Sequence, residues 1–359
     1  NIGGGGAPKE RIPHLCLPQR RGVTYERASE YMRGSTWDVI APNLTLLVIS
    51  LVAFAAVIYA LFLIGSRASV RWQGWLRYGV FLGPALLLLV VGLIYPALRT
   101  IWMSFMDKRA ENFIGFDNYI WAFTIPEIQL VLRNTVLWVV FVPLLSTLIG
   151  LAIAYMTDRM KSASVVKSLV FMPMAISFVG ASVIWSFVYN FEPNPNDPEI
   201  GLLNAIARVV GVEPRNWLLE PPWNTFFLIL VLVWIQTGFA MVILSAAMKN
   251  IPDEVVEAAM LDGASNWRRF IRVTLPMIRG TLVVVLTTIT IGTLKVFDIV
   301  RTMTGGNFQT NVIANEMYAQ SFRQLNYGQG SALAVILFVG VIPIIWYNVR
   351  QLRLERTER

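Results

Sequence analysis

Apolar residues gather along the chain in seven stretches, at about 44–64, 78–99, 132–156, 167–189, 224–247, 280–297 and 331–349. The intervals between them carry the charge, proline and glycine. A helix that crosses a bilayer needs roughly 20 mostly apolar residues, and these stretches meet or approach that length. The first is apolar on every face, as a lipid-facing helix must be. The pattern predicts an all-α membrane protein with about seven transmembrane helices: a core of six and one more at the N-terminal end. Met172-Pro173 predicts a kink in the fourth, because proline lacks the donor that a helix interior requires. Lys295 and Asp298 interrupt the far end of the sixth.

Composition agrees. Of 359 residues 55% are hydrophobic and only 14% charged, too apolar for an ordinary soluble domain of this size. The net charge of +8 raises nucleic acid as a partner, but the distribution of the basic residues argues against it. Arg67, Arg71 and Arg77 lie between the first and second stretches, and Arg159, Lys161 and Lys167 between the third and fourth. Lys249, Arg268, Arg269, Arg272 and Arg279 lie between the fifth and sixth, and Arg350, Arg353, Arg356 and Arg359 follow the last. The alternate loops are poorer in base, and the longest carries Glu192, Asp197, Glu199, Glu213 and Glu220. Positive residues mark the cytoplasmic side, so the charge is topological and no nucleic acid is expected. The interval after the fifth stretch and the C-terminus then face the cytoplasm. Seven spans would leave the N-terminus outside, yet its first 43 residues carry six basic side chains, which argues against export. That tail shows no signal-peptide pattern, and Gly3 to Gly6 read as a linker. Its His14 and the lone Cys16 are too few for a metal site and exclude an internal disulfide.

The polar interval 248–279 has an order of its own. Pro252, Asp253 and Glu254 are a helix N-terminus signature, with acids facing the positive end of the dipole. Gly263 supplies a turn residue able to take positive φ. Ser265 can cap a second short helix, which places Trp267, Phe270, Ile271 and Thr274 on one face and Arg268, Arg269 and Arg272 on the rest. Pro276 opens the next apolar stretch. Small Ala258 and Ala259 would let a partner approach the first helix closely. A connector packed on its own domain fits the periodicity equally well.

The spacing within that interval is more specific. Glu257-Ala258-Ala259, Gly263 four residues after the last alanine, then nine residues and Val273-Thr274-Leu275-Pro276 resemble the EAA loop of bacterial ABC-importer permeases, with valine where that family usually has isoleucine. The resemblance implies the type I ABC importer transmembrane fold, with the first short helix as a coupling helix inserted into a cytoplasmic ATPase. It assigns ATPase coupling to Glu257, Ala258, Ala259, Asp262 and Gly263. The patch Phe113-Ile114-Gly115-Phe116-Asp117-Asn118-Tyr119, the pairs Leu203-Asn204 and Trp217-Leu218, and the run from Phe297-Asp298 through Thr304-Gly305-Gly306-Asn307 to Tyr318 and Phe322 resemble the sugar-importing branch. Leu294-Lys295-Val296-Phe297-Asp298 and Ile313-Ala314-Asn315 look most like α-glucoside permeases. The likeness covers about residues 78–353. It divides the chain into a tail 1–43, an added helix and basic linker 44–77, a permease core 78–350 and a basic cytoplasmic tail 351–359.

Candidate cargo contacts lie on the fifth and sixth stretches. A glutamine within a membrane is costly unless hydrogen-bonded. Gln236 beside Trp234 or Phe239 offers the amide and aromatic platform that sugars engage; a bond to a neighbouring helix explains Gln236 as well. In maltose-type permeases the sugar contacts come from these two helices, and the likeness puts those positions around Gln236, Phe239, Gly292, Thr293 and Val296. Lys295 and Asp298 are spaced to pair on one face, or Lys295 snorkels to the interface.

No phosphate-binding G-x-x-x-x-G-K-[ST] loop and no clustered metal ligands occur, and one histidine leaves little room for histidine-based catalysis. Neither a catalytic residue nor a cofactor is expected. The resemblance implies a subunit of the bacterial or archaeal cytoplasmic membrane that pairs with a second permease, two cytoplasmic ABC ATPase subunits and an extracytoplasmic solute-binding protein, and moves a maltose- or α-glucoside-like sugar. Another cargo such as glycerol phosphate, an ion-coupled transporter and a membrane-embedded transferase are the competing readings. The last two lack the internal repeat and the clustered acids or histidines that they would need.

Overall fold

The computed structural model describes residues 36–67, 73–158, 160, 162–194 and 200–357. The expectations for His14, Cys16, Arg71, Arg159, Lys161, Asp197, Glu199 and Arg359 lie outside the described residues. The chain divides into two compact units, residues 1–92 and 93–359.

In the first unit, helix α1 spans Thr36–Arg67, beginning upstream of the apolar stretch that predicts it. Helix α2 spans Gln73–Leu89. A π turn, Val90–Ile94, follows, and α3, Tyr95–Met103, belongs to the second unit.

The second unit is helical, and the described residues hold no strand, only one isolated bridge between Met106 and Phe113. Its frame is α5, Pro126–Thr157, packed along α9, Trp223–Lys249, with α13, Arg279–Leu294, against both. Small residues set the closest approaches. A Cβ on Gly150 of α5 would lie 2.7 Å from the Ala240 Cβ of α9. A Cβ on Gly238 of α9 would lie 2.6 Å from the Val170 carbonyl oxygen of α6, Ala163–Phe171. Close backbone packing of this kind stabilises helices in lipid, where apolar burial alone gives little preference. Trp138, Val142, Leu228, Ile235, Met241, Leu244, Val285 and Ile289 fill the core between the three helices. The threonines of α13 are self-satisfied: Thr287, Thr288, Thr290 and Thr293 each donate to the carbonyl four residues back, at 2.6–2.8 Å.

Among the described residues four helices are long and apolar enough to cross a membrane: Leu82–Met103, Pro126–Thr157, Trp223–Lys249 and Tyr327–Tyr347. Counting each of two bent pairs as one span brings the number to six. Of α1, only the shorter apolar run Leu44–Val57 stands out among the described residues.

Both bent pairs correct the simple reading of the apolar stretches. The fourth stretch is broken rather than kinked. After α6 and a 3-10 turn, Met172–Ala175, the chain extends at Ile176 and Ser177, then restarts as α7, Phe178–Val188, at 105°. Pro173 removes a donor, and Ser177 begins a fresh helix by accepting from Gly180 N at 3.1 Å. In the sixth, Pro276 does not open the membrane segment. It lies within the preceding rod, formed by α11, Asn266–Arg269, a π turn, Phe270–Thr274, and α12, Leu275–Met277. The π register, with Leu275 N bonded to Phe270 O, absorbs the proline's missing donor. The 70° bend comes at Ile278, before α13.

Shorter helices complete the unit: α4, Asp117–Thr124; α8, Leu202–Val209; α10, Asp253–Leu261; α14, Asp298–Met303; and α15, Ile313–Tyr318. A third π turn, Ala319–Arg323, precedes α16, Tyr327–Thr357.

Candidate functional site

The interval 248–279 folds as the helix, turn and helix its sequence predicts. Pro252 occupies the N-cap position of α10, with Asp253 and Glu254 in the first turn. The helix ends in a Schellman motif: Gly263 N donates to Met260 O and Ala264 N to Ala259 O, both at 3.0 Å, with Gly263 at φ +74°. Ser265 caps α11 through Arg268 N at 3.4 Å. No residue of α10 is buried. Glu257, Ala258, Asp262 and Gly263 are exposed and Ala259 half-buried. The apolar Val255, Met260 and Leu261 are uncovered too, Leu261 to 90%.

The second helix joins this element to the core. Phe270 stacks beside Trp267 and lies 4.5 Å, ring to ring, from Tyr155 at the end of α5. The Tyr155 hydroxyl donates to Asn266 O at 3.4 Å. Here the expected division of faces is corrected. Arg269 is buried, its Nη2 donating to Asn266 Oδ1 at 2.8 Å, while Trp267 and Ile271 are exposed. The π turn rotates residues 270–274 relative to α-helical spacing, so the i, i+3, i+4, i+7 face does not hold.

The residues expected along a cargo path fall into two groups. Gln236 and Gly292 face each other across α9 and α13: a Cβ on Gly292 would lie 4.0 Å from Gln236 Nε2. Trp234 is half-buried and meets Trp185 of α7 edge-on at 5.7 Å; Phe239, also half-buried, packs against the core. Lys295 is the exposed C-cap of α13. In contrast, Thr293 is fully buried with its hydroxyl bonded to Ile289 O, and Val296 sits in the core cluster. Lys295 and Asp298 form no ion pair among the described residues, because Asp298 starts the separate helix α14 after the break at residues 295–297. Beyond that break Phe297 meets Tyr318 at 5.2 Å, and Arg301 lies over the Tyr318 ring at 5.3 Å.

The opposite end of the bundle is organised by buried asparagines whose roles sequence reasoning did not single out. Asn118 donates to Ser104 O and Met106 O at 2.9 and 2.8 Å. Asn134 donates to Gln309 O and Asn311 O, and Asn224 to Phe308 O. They hold the glycine-rich loop in which Gly305, Gly306, Phe308 and Gln309 take positive φ. Asn204 is fully buried: it donates to Asn190 O and Arg215 O and accepts from Arg215 N and Trp217 Nε1. The available signal was an isolated amide, near the start of α4, α8 and α9 and within α5, and such a residue is costly to bury without partners. Beside Asn204, Arg215 lies over the Trp217 ring at 4.6 Å and pairs with Glu220 at 3.6 Å, in a cleft of about 290 Å³ shared with Trp223 and Phe227.

Among the described residues no group of three His, Cys, Asp or Glu side chains is placed to hold a metal ion. The geometry offers an exposed helix at one end, a polar contact between two core helices, and a stapled set of loops at the other end.

Comparison with known proteins agrees with this arrangement. The family described as "Binding-protein-dependent transport system inner membrane component" matches residues 125–353. The α-glucoside transport system permease protein AglF of Rhizobium meliloti is 48% identical over 288 residues, covering 80% of this chain and 85% of that protein. The osmoprotective compounds uptake permease protein GgtC of Synechocystis is 49% identical over 280 residues, covering 78% of this chain and all of that protein. Among solved structures, a subunit of a bacterial ABC transporter that imports alginate superposes with a TM-score of 0.67 at 23% identity, over 78% of this chain and 96% of its own, a likeness of fold. The chain belongs to the binding-protein-dependent transport system inner membrane component family and is a multi-pass membrane subunit of the type I ABC importer fold.

Proposed function

We propose that this family member is the permease subunit of an ATP-driven importer whose cargo is an α-glucoside or a related small glucoside. Residues 78–350 form its transmembrane core. A second permease completes the pathway, two ATPase subunits bind at α10 from the cytoplasm, and a solute-binding protein delivers cargo at the asparagine-stapled end. The observation that carries this reading is α10 itself. It is a helix closed at its C-terminus by the Schellman turn, with its apolar Val255, Met260 and Leu261 uncovered. It is joined through α11 and the following π turn to α5, one of the helices that frame the core.

The mechanism is a two-state bundle biased from both ends. Closure of an ATPase dimer displaces α10. The capped turn at Gly263 and the Tyr155–Phe270 contact pass that displacement to α5 and α13 as a rigid-body shift. The pathway between α9 and α13 then opens to the other side. Gln236 supplies an amide for cargo hydroxyls, opposite a Gly292 that leaves room for them. Trp234 and Phe239 supply the aromatic platform, while Thr293 and Val296 shape the wall from within the core. No catalytic group is required, since hydrolysis takes place in the partner.

The α-glucoside assignment rests on the 48% identity to AglF; the equal likeness to GgtC supports a small osmoprotective solute as the second cargo. The test is ATP hydrolysis by the reconstituted complex with its binding protein, against panels of α-glucosides and of non-sugar osmolytes. Stimulation by a glucoside is the expected result. Stimulation only by non-sugar osmolytes keeps the importer and removes the sugar. Absence of any co-purifying ATPase removes the importer.

A further inference from the structure

Arg99 lies inside the span Leu82–Met103, one turn from its end. At 1.5 Å per residue Arg99 is about 6 Å from that end, within reach of the headgroups for an extended guanidinium side chain, which there needs a counter-ion or water. Among the described residues no carboxylate pairs with it, nor with Lys108 or Arg109 nearby. These three cations stand at the end of the bundle opposite α10. Trp223 begins α9 at that end and Lys249 finishes it just before α10, about 40 Å away at 1.5 Å per residue. Tyr327, whose N donates to Lys108 O at 2.9 Å, begins α16 at the same end. Basic residues normally mark the other side of a membrane protein.

The cations are presented by a built turn. Asp107 accepts from Asn112 Nδ2 at 2.7 Å, from Glu111 N at 2.9 Å and from Arg109 N at 3.2 Å. The Asn112 side chain, then the Glu111 backbone, hold its carboxyl below the usual range. Asp107 is thereby engaged with the turn rather than with the arginines. Gly328 packs directly on the Met106 carbonyl and fixes the turn to the start of α16. Between them lies a cavity of about 520 Å³, lined by Arg99, Trp102, Met106, Arg109 and Tyr327 and by no carboxylate. Trp102 is 61% and Tyr327 39% exposed, the amphipathic side chains typical of a membrane interface.

We propose that this cavity binds the headgroup of one anionic phospholipid from the leaflet opposite the ATPase side. Arg99 and Arg109 take the phosphate oxygens, the geometry for which a guanidinium fork is suited. Trp102 and Met106 line the glycerol and upper acyl region, and Tyr327 closes the polar side. The site ties the α3 end of one span to the α16 end of another, and it stands whatever the imported cargo is.

The test uses the intact complex in nanodiscs of phosphatidylcholine titrated with phosphatidylglycerol, with retained lipid counted by native mass spectrometry. The expected result is one phosphatidylglycerol per copy of this chain, with apparent affinity falling about tenfold in R99Q/R109Q and unchanged in R133Q. Arg109→Gln alone lies outside the span and is read separately in case the double variant inserts poorly; it is expected to lose about threefold. Equal retention in Arg109→Gln and the native complex, or equal retention of phosphatidylcholine, overturns the proposal. Displacement by soluble glycerophosphate as effectively as by the lipid also overturns it, since the site would then read a free phosphate group.

Discussion

The ring of Tyr155, in the last turn of α5, lies 4.5 Å from the ring of Phe270 in the π turn that follows α10 and α11. The same hydroxyl reaches Asn266 O at 3.4 Å. This contact joins a core helix to an element whose first helix buries nothing, so it is a natural transmission point. An aromatic pair contributes about 0.5–1.5 kcal/mol beyond its area. Tyr155→Ala is expected to leave assembly intact while lowering cargo stimulation of ATP hydrolysis several-fold. Tyr155→Phe keeps the ring and loses only a long hydrogen bond, so it should stay near the native ratio. Equal behaviour of the two variants would remove the ring contact from the coupling route.

Gly263 holds φ +74°, which proline cannot adopt and which costs other residues about 1–2 kcal/mol. Gly263→Ala is expected to reduce coupled transport partially and Gly263→Pro to abolish it, with membrane insertion preserved in both. Uptake assays beside membrane-fraction immunoblots separate the outcomes. Normal uptake by Gly263→Pro would exclude the Schellman turn from coupling.

Gln236 and Gly292 occupy facing positions on α9 and α13. Losing one neutral hydrogen bond of about 1 kcal/mol raises the half-saturating cargo concentration about fivefold. Gln236→Leu should show that rise with unchanged basal hydrolysis. Gly292→Val should narrow the same point and act in the same direction. If both leave transport kinetics untouched while lowering Tm, Gln236 serves packing.

Asn204 makes four hydrogen bonds from a fully buried site. Truncating it strands several partners at about 1–3 kcal/mol for each buried group left unpaired. Asn204→Ala should therefore release the 190–222 loop to limited proteolysis while the helical core keeps its Tm. An unchanged cleavage pattern would show that α8 and Trp217 hold the loop without the amide.

The turn after α3 carries a pH signature. Asp107 is held below its usual value of 3.8 by Asn112 and the Glu111 backbone. A depressed carboxylate adds stability that is fully present above its unfolded pKa and lost as pH falls through the lower folded value. Retention of phosphatidylglycerol should accordingly be flat from about pH 5 to 8 as far as Asp107 is concerned, and Asp107→Ala should lower it at every pH in that window. A native titration within the window would point to another group.

Much of this molecule is legible in one dimension. Long apolar runs must be helices in lipid, because a helix satisfies its own backbone groups. The placement of α5, α9 and α16 follows from that alone. The interval 248–279 was readable for a similar reason: proline, acids, glycine and serine at those spacings act through contacts within a few residues, and each did what its position implied. The candidate cargo residues were less legible. Gln236 and Gly292 do meet, but Thr293 on α13 and Val296 in the break after it are buried, because which side of a helix meets its neighbours is set by packing that no linear pattern records.

The sequence by itself determined the helical class, the short helix α10 and its glycine turn, since these depend on local chemistry and on the cost of bare backbone in a bilayer. Only the tertiary structure decided the rest. It turned a proline kink into a 105° break, because Ser177 could cap a new helix that α14 and α8 receive. It buried Arg269, and it made Asn118, Asn134, Asn204 and Asn224 the staples of the loops at the end opposite α10. Their partners lie up to 177 residues away, and a buried amide is worth its desolvation only where the fold brings those carbonyls to it.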